Sequence, residues 1–267
     1  MLNLDQALSF AISLAEEASN LLRDAHAKLL KGGNGELHIK TKSNDRDFVT
    51  DVDTSVQKFI VDRIRAAYPE HRFIGEEEGA DTFGDPKSPF AWVIDPLDGT
   101  TNFIHASPNF GSMIALLENG KPVIGVVALP MRHQIYSAKK GGGAFRNGER
   151  LIVRKTRDMN DAILSTNLNG RAKECDGEMH VSIVQCASLH NYGCAACEMA
   201  AVAEGFNDGI YYERVGLWDI APGSLIIEEA GGKAEFRLRD PDDVRKGVDG
   251  VASTKVIFEE LKGFIFR

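Results

Sequence analysis

Apolar residues recur at helical spacing near the start of the chain: Leu4, Leu8 and Ile12, then Leu14, Ala18, Leu21, Leu22 and Ala25. With Glu16, Glu17, Arg23 and Asp24 largely on the other side, residues 4–30 are predicted to form a long amphipathic helix. Lys31-Gly32-Gly33-Asn34-Gly35 ends it, and residues 36–50, rich in Lys, Asn and Asp, read as extended or looping. A second helix is predicted from about Thr54 to Tyr68. Val56, Ile60, Ile64 and Ala67 line one face, Thr54 with Gln57 resembles a capping box, and Pro69 is the stop. A short strand, Arg72–Gly75, leads into Glu76-Glu77-Glu78, and the β-branched run Trp92-Val93-Ile94 follows a polar loop.

Residues 110–152 read as antiparallel sheet. Strands around Ser112–Leu117, Val123–Leu129, Gln134–Ala138 and Gly143–Arg146 are separated by Glu118-Asn119-Gly120-Lys121, by Pro130-Met131-Arg132 and by an Asn147-Gly148 turn. The second half is predicted to hold a strand near Ala162–Ser165, a helix from about Met179 to Ser188 and another from about Ala195 to Glu204. A strand at Gly209–Glu213, a helix at Pro222–Ala230, a strand at Lys233–Leu238 and a capped helix at Thr254–Lys262 complete it. No internal repeat or low-complexity linker divides the chain. The expectation is a layered α/β protein whose first half carries a mostly antiparallel sheet.

Composition narrows the function classes. The 267 residues are enough to bury a full core, with 43% hydrophobic and 26% charged positions as in ordinary globular proteins. A net charge of −8 argues against broad binding to nucleic acid or anionic membranes. No stretch reaches the ~18 apolar residues of a membrane helix, and Met1-Leu2-Asn3-Leu4-Asp5 does not begin a signal peptide. The four cysteines, Cys175, Cys186, Cys194 and Cys197, form no dense disulfide framework. A reduced, cytoplasmic protein is the expectation.

The chemistry concentrates at strand and helix ends. The apolar strand at 92–94 delivers Asp95 and Asp98, with Pro96 between them. Burying two acids there is costly without a cation. Gly99-Thr100-Thr101 at the start of a short helix would offer backbone N–H groups to an anion. A hard cation beside an oxyanion is the arrangement of a phosphate-processing site. Asp53, Glu76 and Asp219 stand at other element ends. Taken singly, Asp53 and Asp219 read as helix caps and Glu76 as part of a solvated acidic loop. Taken together, the five carboxylates suit Mg²⁺, which prefers oxygen ligands. Cys194-Ala195-Ala196-Cys197 fits a Cys-x-x-Cys pattern, used in redox and zinc sites, but no second pair has suitable spacing, so two small buried residues at a helix start are expected. Gly141–Gly143 lacks the Gly-Lys-Ser/Thr ending of a phosphate loop and reads as hairpin geometry. His105, near the acidic motif, is expected at a surface or rim.

Asp95-Pro96-Leu97-Asp98-Gly99-Thr100-Thr101-Asn102-Phe103 resembles the first signature of the inositol monophosphatase family, Mg²⁺-dependent, lithium-sensitive phosphomonoesterases. Trp218-Asp219-Ile220-Ala221-Pro222-Gly223, followed by Glu229-Ala230-Gly231-Gly232, resembles its second. Asp47–Asp53, Phe73–Glu77 and the hairpins through Gly125–Val127 and Gly141–Gly148 are similar too. The resemblance implies an αβαβα layered fold and a single phosphatase domain over 1–267. Its halves, about 1–153 and 154–267, would have the active site between them. It implies two or three Mg²⁺ per site, held by Glu76, Asp95, Asp98 and Asp219 and by the Leu97 carbonyl, with Asp95 bridging two ions. Asp53, Thr100 and Glu76 would be catalytic, Thr100 linked to Asp53 and orienting the water that attacks phosphorus. Gly99 and Thr100 N–H groups would hold phosphate oxygens.

For the substrate alcohol the resemblance implies Gly193, Cys194, Ala195, Glu213 and Asp219, and here the chain departs from its relatives. Glu213 stands five residues before Trp218 where inositol-selective members typically place Glu six before. Cys194 replaces a Ser or Thr, and His190 an Arg. The function implied is hydrolysis of inositol 1-phosphate or a related sugar or polyol phosphate by a homodimer. Fructose-1,6-bisphosphatase is the enzymatic alternative, and a regulatory RNA-polymerase-associated protein is the alternative of another class.

Overall fold

Asn3 opens the first helix, α1 (Leu4–Leu30), its side-chain oxygen accepting the N–H groups of Asp5 and Gln6 at 3.0 and 3.1 Å. A computed structural model describes residues 2–31, 40–41, 48–167 and 185–266. The second helix, α2, runs Asp51–Ala67 and starts three residues before the predicted Thr54. Its capping box is made by Thr50 and Asp53, not by Thr54 and Gln57, because an Asp at the third helical position reaches the cap N–H as a Glu or Gln would.

Seven strands form the first sheet: β1 (Arg72–Gly75), β2 (Phe90–Asp98), β3 (Gly111–Glu118), β4 (Lys121–Leu129), β5 (Gln134–Lys139), β6 (Gly143–Arg146) and β7 (Glu149–Arg150). They lie in sequence order, β1 parallel to β2 and every later pair antiparallel. Alternation along the strands divides the core. Trp92, Ile94, Ile114 and Val126 pack against Leu14, Leu22, Ile60 and Ile64 of α1 and α2, while Val93, Met113, Ala115 and Val127 face the opposite way.

On that opposite face lie α4 (Ala195–Ala203) and α5 (Leu217–Glu229), numbered after α3 (Thr100–Ile104). The approach is close: a Cβ at Gly125 would stand 2.3 Å from the Pro222 carbonyl oxygen, so only glycine admits α5 there. Below the helices is the second sheet, of β8 (Ile163–Thr166), β9 (Ser188–His190), β10 (Gly209–Val215), β11 (Lys233–Leu238) and β12 (Val248–Ser253), in the order β9-β8-β10-β12-β11. Helix α6 (Phe258–Ile265) covers its far face through Phe258 and Leu261, packed on Leu164 and Val251. The layers are therefore α, β, α, β, α, as expected.

Three second-half expectations change. α5 begins at Leu217, not Pro222, so the proline sits inside the helix rather than at its first turn. Strand β12 was not expected, and the final helix starts at Phe258 instead of Thr254 because the chain up to Ser253 is paired in the sheet. The helix expected over Met179–Ser188 lies outside the described residues up to 184, and Ser188 itself opens β9, paired in parallel with Ile163.

Candidate active site

In a regular strand, residues three apart face opposite sides. The β2–β3 ladder breaks register between Asp95 and Asp98, and this irregularity turns both carboxylates toward one crevice. Asp219, at the third position of α5, reaches the same place. Ligand atoms of Asp95, Asp98 and Asp219 lie within 4.8 Å of one another. Glu76 follows β1, its N–H bonded to the Ile94 carbonyl at 3.1 Å, and its carboxyl group contacts that of Asp95. Four of the sequence-nominated carboxylates thus converge.

Burial sets the electrostatics. Asp95 is 1% exposed. Its carboxyl is pushed well above the usual range by desolvation first, then by the charges of Glu76, Asp98 and Asp219. Desolvation likewise raises Asp219, with Asp98 and Glu76 adding to it. Asp98 is raised by burial but drawn back by donors at the start of α4: Ala196 N–H at 2.6 Å and the Cys194 thiol at 3.0 Å. Acids crowded in this way hold protons or a cation. The all-oxygen donor set fits a hard divalent ion.

The neighbouring acid is treated differently. Asp53 accepts the Thr50 N–H at 2.8 Å and the Thr50 hydroxyl at 2.6 Å on one oxygen, and the Thr100 hydroxyl at 2.9 Å on the other. Thr100 Oγ1 also lies 3.1 Å from the Leu97 carbonyl oxygen. Gly99 precedes α3 with φ of 84°, a left-handed turn that suits glycine and leads the chain directly from Asp98 into the helix.

Gly193, Cys194, Ala195 and Asp219 line a pocket of about 190 Å³ together with Asp98, Asn167, Asn191, Glu198, Tyr212 and Val215. Glu213 does not line it. Its Oε1 accepts the Tyr211 hydroxyl at 2.8 Å, on the side of β10 opposite Tyr212. Between Tyr212 and Val215 the β10–β12 register breaks, and Arg214 takes a φ of 53°. His190 contacts the Tyr192 hydroxyl through Nδ1 at 3.3 Å. The Gly141–Gly143 turn does join a hairpin, and its N–H groups at 141 and 143 bond the Glu229 carboxylate at 2.6 and 2.7 Å.

Three residues of the site escaped sequence analysis. Gln57 clamps the backbone after Glu76, accepting the Glu77 N–H at 2.9 Å and donating to its carbonyl at 2.8 Å. Asn102 donates to the carbonyls of Asn109 and Tyr192, both at 2.8 Å, and so ties the acidic motif to the pocket turn. Glu198 is buried beneath the pocket, accepting the Tyr192 N–H at 2.7 Å and the Tyr212 hydroxyl. Burial pushes its pKa up to about 7 against those bonds. Asn102 stands within the acidic motif and was the one such signal available.

The sequence profile of the inositol monophosphatase family matches residues 3–261. The chain is 38% identical over 236 residues to the Nus factor SuhB of Escherichia coli K12, covering 84% of this chain and 83% of that protein. It is 35% identical over 220 residues to the inositol-1-monophosphatase of Bacillus subtilis, covering 81% and 83%. The solved structure of the Thermotoga maritima IMPase superposes with a TM-score of 0.79 at 30% identity, covering 97% and 96%.

Proposed function

Because the chain belongs to the inositol monophosphatase family, whose members are phosphatases, we propose that it is a Mg²⁺-dependent phosphomonoesterase acting on inositol 1-phosphate or a related sugar or polyol phosphate. The convergence of Asp95, Asp98 and Asp219 beside the Asp53–Thr100 pair carries this reading. Glu76, Asp95, Asp98, Asp219 and the Leu97 carbonyl would hold two or three ions. Bound there, Mg²⁺ neutralises phosphate charge and makes a water easier to deprotonate.

The protein's own groups do the aiming. Asp53 Oδ1 accepts a hydrogen bond from the Thr100 hydroxyl and thereby fixes it, leaving a lone pair on Thr100 Oγ1 to accept a hydrogen bond from the attacking water. The water oxygen forms the bond to phosphorus and gives up a proton as the bond to the alcohol oxygen breaks in line, and the departing oxygen gains a proton, so that one water yields phosphate and alcohol. N–H groups of Gly99 and Thr100 hold the phosphate oxygens, and Gly193, Cys194 and Ala195 receive the alcohol, with Asp219 at its edge. In this reading Glu213 reaches the alcohol only if β10 shifts. A homodimer, lithium sensitivity, a cytoplasmic location and an active site between the two halves of one domain belong to the same proposal.

Phosphate release from inositol 1-phosphate, fructose 1,6-bisphosphate and 2′-AMP, compared by kcat/KM with Mg²⁺, tests it. Preference for fructose 1,6-bisphosphate would establish the alternative within the family. The relatives named Nus factor favour a second reading, a binding role in transcription complexes. Failure to hydrolyse any phosphomonoester, together with retention by such complexes, would establish that one.

A further inference from the structure

Phosphate hydrolysis makes no use of the second sulfur at the start of α4. Cys194 is the N-cap of this helix, and its Sγ accepts the Cys197 N–H at 3.4 Å, one turn on. Sulfur is a weak acceptor at a position that favours the harder oxygens of Ser, Thr, Asp and Asn. The pair thus gives up capping strength. What it gains is proximity: the two thiols contact each other, and residues three apart at a helix start have Cα atoms about 5 Å apart. That separation lies inside the roughly 4.4–6.8 Å window for a disulfide. Arg132 places Nη2 3.9 Å from Cys197 Sγ, a cation beside the second sulfur. Cys194 lines the candidate active-site pocket but is only 3% exposed, and burial holds its thiol well above the usual range, so a small oxidant reaches it through the pocket and reacts slowly.

We propose that Cys194 and Cys197 form an oxidisable dithiol that disables the candidate active site when a peroxide links them. The Cys194 sulfur attacks the peroxide, the O–O bond breaks, and a sulfenic acid and one water result. Cys197 Sγ then displaces the sulfenic oxygen, which leaves as a second water with the Cys197 thiol proton. Two thiols lose two electrons and two protons, and hydrogen peroxide is reduced to two waters. A small dithiol reverses the link by exchange.

The consequence follows from one bond. In the reduced protein the Cys194 thiol donates to Asp98 Oδ2 at 3.0 Å. A disulfide sulfur has no proton to give, and forming the link turns Sγ toward Cys197. Asp98 keeps the Ala195 and Ala196 N–H groups but loses the thiol, the one side-chain donor among the three. The pocket wall at 193–195 moves with it. This consequence rests on the assignment of Asp98 and Cys194 under the proposed function, whereas the link itself does not.

The full chain, treated with stoichiometric hydrogen peroxide, alkylated, digested and mapped by mass, is expected to show one link, between Cys194 and Cys197. The same link is expected in the Cys175→Ser/Cys186→Ser variant. Phosphate release should fall about tenfold or more, as for loss of a ligand's supporting hydrogen bond, and return with dithiothreitol. Cys197→Ala should keep its starting activity, form no link after peroxide, and hold Cys194 as a sulfenic acid readable by mass. Links to Cys175 or Cys186, stable sulfinic acid at Cys194 without a link, or undiminished turnover by fully linked protein would each overturn the proposal. The link is read by mass, so a chain inactive on every phosphate ester would sink the proposed function while leaving the dithiol to be judged separately.

Discussion

Asp53 and Asp95 are both buried, at 0% and 1% exposure, and both face the crevice that ends β2. Around Asp53 stand donors: the Thr50 N–H, the Thr50 hydroxyl and the Thr100 hydroxyl. Around Asp95 stand other acids, and the Leu97 N–H donates to its Oδ1 at 3.1 Å. The first carboxylate has its charge balanced by the fold itself, through a helix cap that any α2 would benefit from. The second is a charge that the fold concentrates and leaves for a cation to balance. Stability and function therefore coincide at Asp53 and oppose each other at Asp95, as expected where a site is built at the expense of the folded state.

Asp95→Asn should separate the two most sharply. Losing one ligand of a charge-stabilising site removes several kcal/mol from the transition state, about 1,000-fold in kcat/KM, at saturating Mg²⁺. The same change should raise the melting temperature of metal-free protein, because a neutral amide relieves the crowding. The pH dependence carries the same sign. Folded Asp95 and Asp219 hold protons to higher pH than they do unfolded. Between the ordinary carboxylate range and the raised one, the unfolded chain therefore binds fewer protons, and stability falls as pH rises, by up to about 1.4 kcal/mol per pH unit for each proton. Metal-free calorimetry across that range should show the fall, and Mg²⁺ or Asp95→Asn should flatten it. A metal-free protein whose stability rises with pH through that window would break the comparison.

Asp53→Asn should behave in the opposite sense on stability. An amide cannot accept both Thr50 donors and the Thr100 hydroxyl in the same geometry, so a buried donor loses its partner, at a cost of about 1–3 kcal/mol. Activity should fall by about 10- to 100-fold as Thr100 loses its orientation, with a smaller change in Mg²⁺ affinity than at Asp95. Thermal unfolding and kcat measured on the same preparation would decide it. A variant that is more stable than the parent would show that Asp53 is a concentrated charge like Asp95 after all.

The two acids were also unequally legible. Asp95 and Asp98 could be nominated because a run of apolar residues ends on them and a Gly-Thr-Thr start follows, all within one stretch of sequence. Asp53 is visible as a helix-end acid, but its box partner, Thr50, lies in a stretch that reads as extended or looping. Gln57 fits a local cap pattern, yet it clamps Glu77, twenty residues on, which no local pattern shows. Pro222 reads as the start of a helix, the commonest place for proline. The first turn is instead held by Asp219, whose Oδ2 accepts the Gly216 N–H at 2.7 Å. Strand β12, Val-Asp-Gly-Val-Ala-Ser, carries a glycine where α5 lies close: a Cβ at Gly250 would stand 2.0 Å from Ile220 Cδ1. Periodicity recovered α1 and the hairpins β3–β6, where each face meets one neighbour. It failed where tertiary contact chose the residue.

Glu198 offers the gentlest comparison, since it combines both situations in one side chain. Like Asp53 it accepts defined donors, the Tyr192 N–H and the Tyr212 hydroxyl, and like Asp95 it is raised by burial, to about 7. Tyr192 leads into Gly193 and Cys194, so Glu198 acts on the pocket through the turn it holds and is a positioning residue. Glu198→Gln keeps one carbonyl acceptor for the Tyr192 N–H and removes the charge. The turn should hold, and a change of a few-fold in KM with kcat nearly unchanged is expected, because the lost interaction serves bound and reacting substrate alike. A fall in kcat matching that of Asp53→Asn would instead move Glu198 into the set of groups that aim the water, and the boundary between the alcohol pocket and the reacting centre would have to be redrawn through α4.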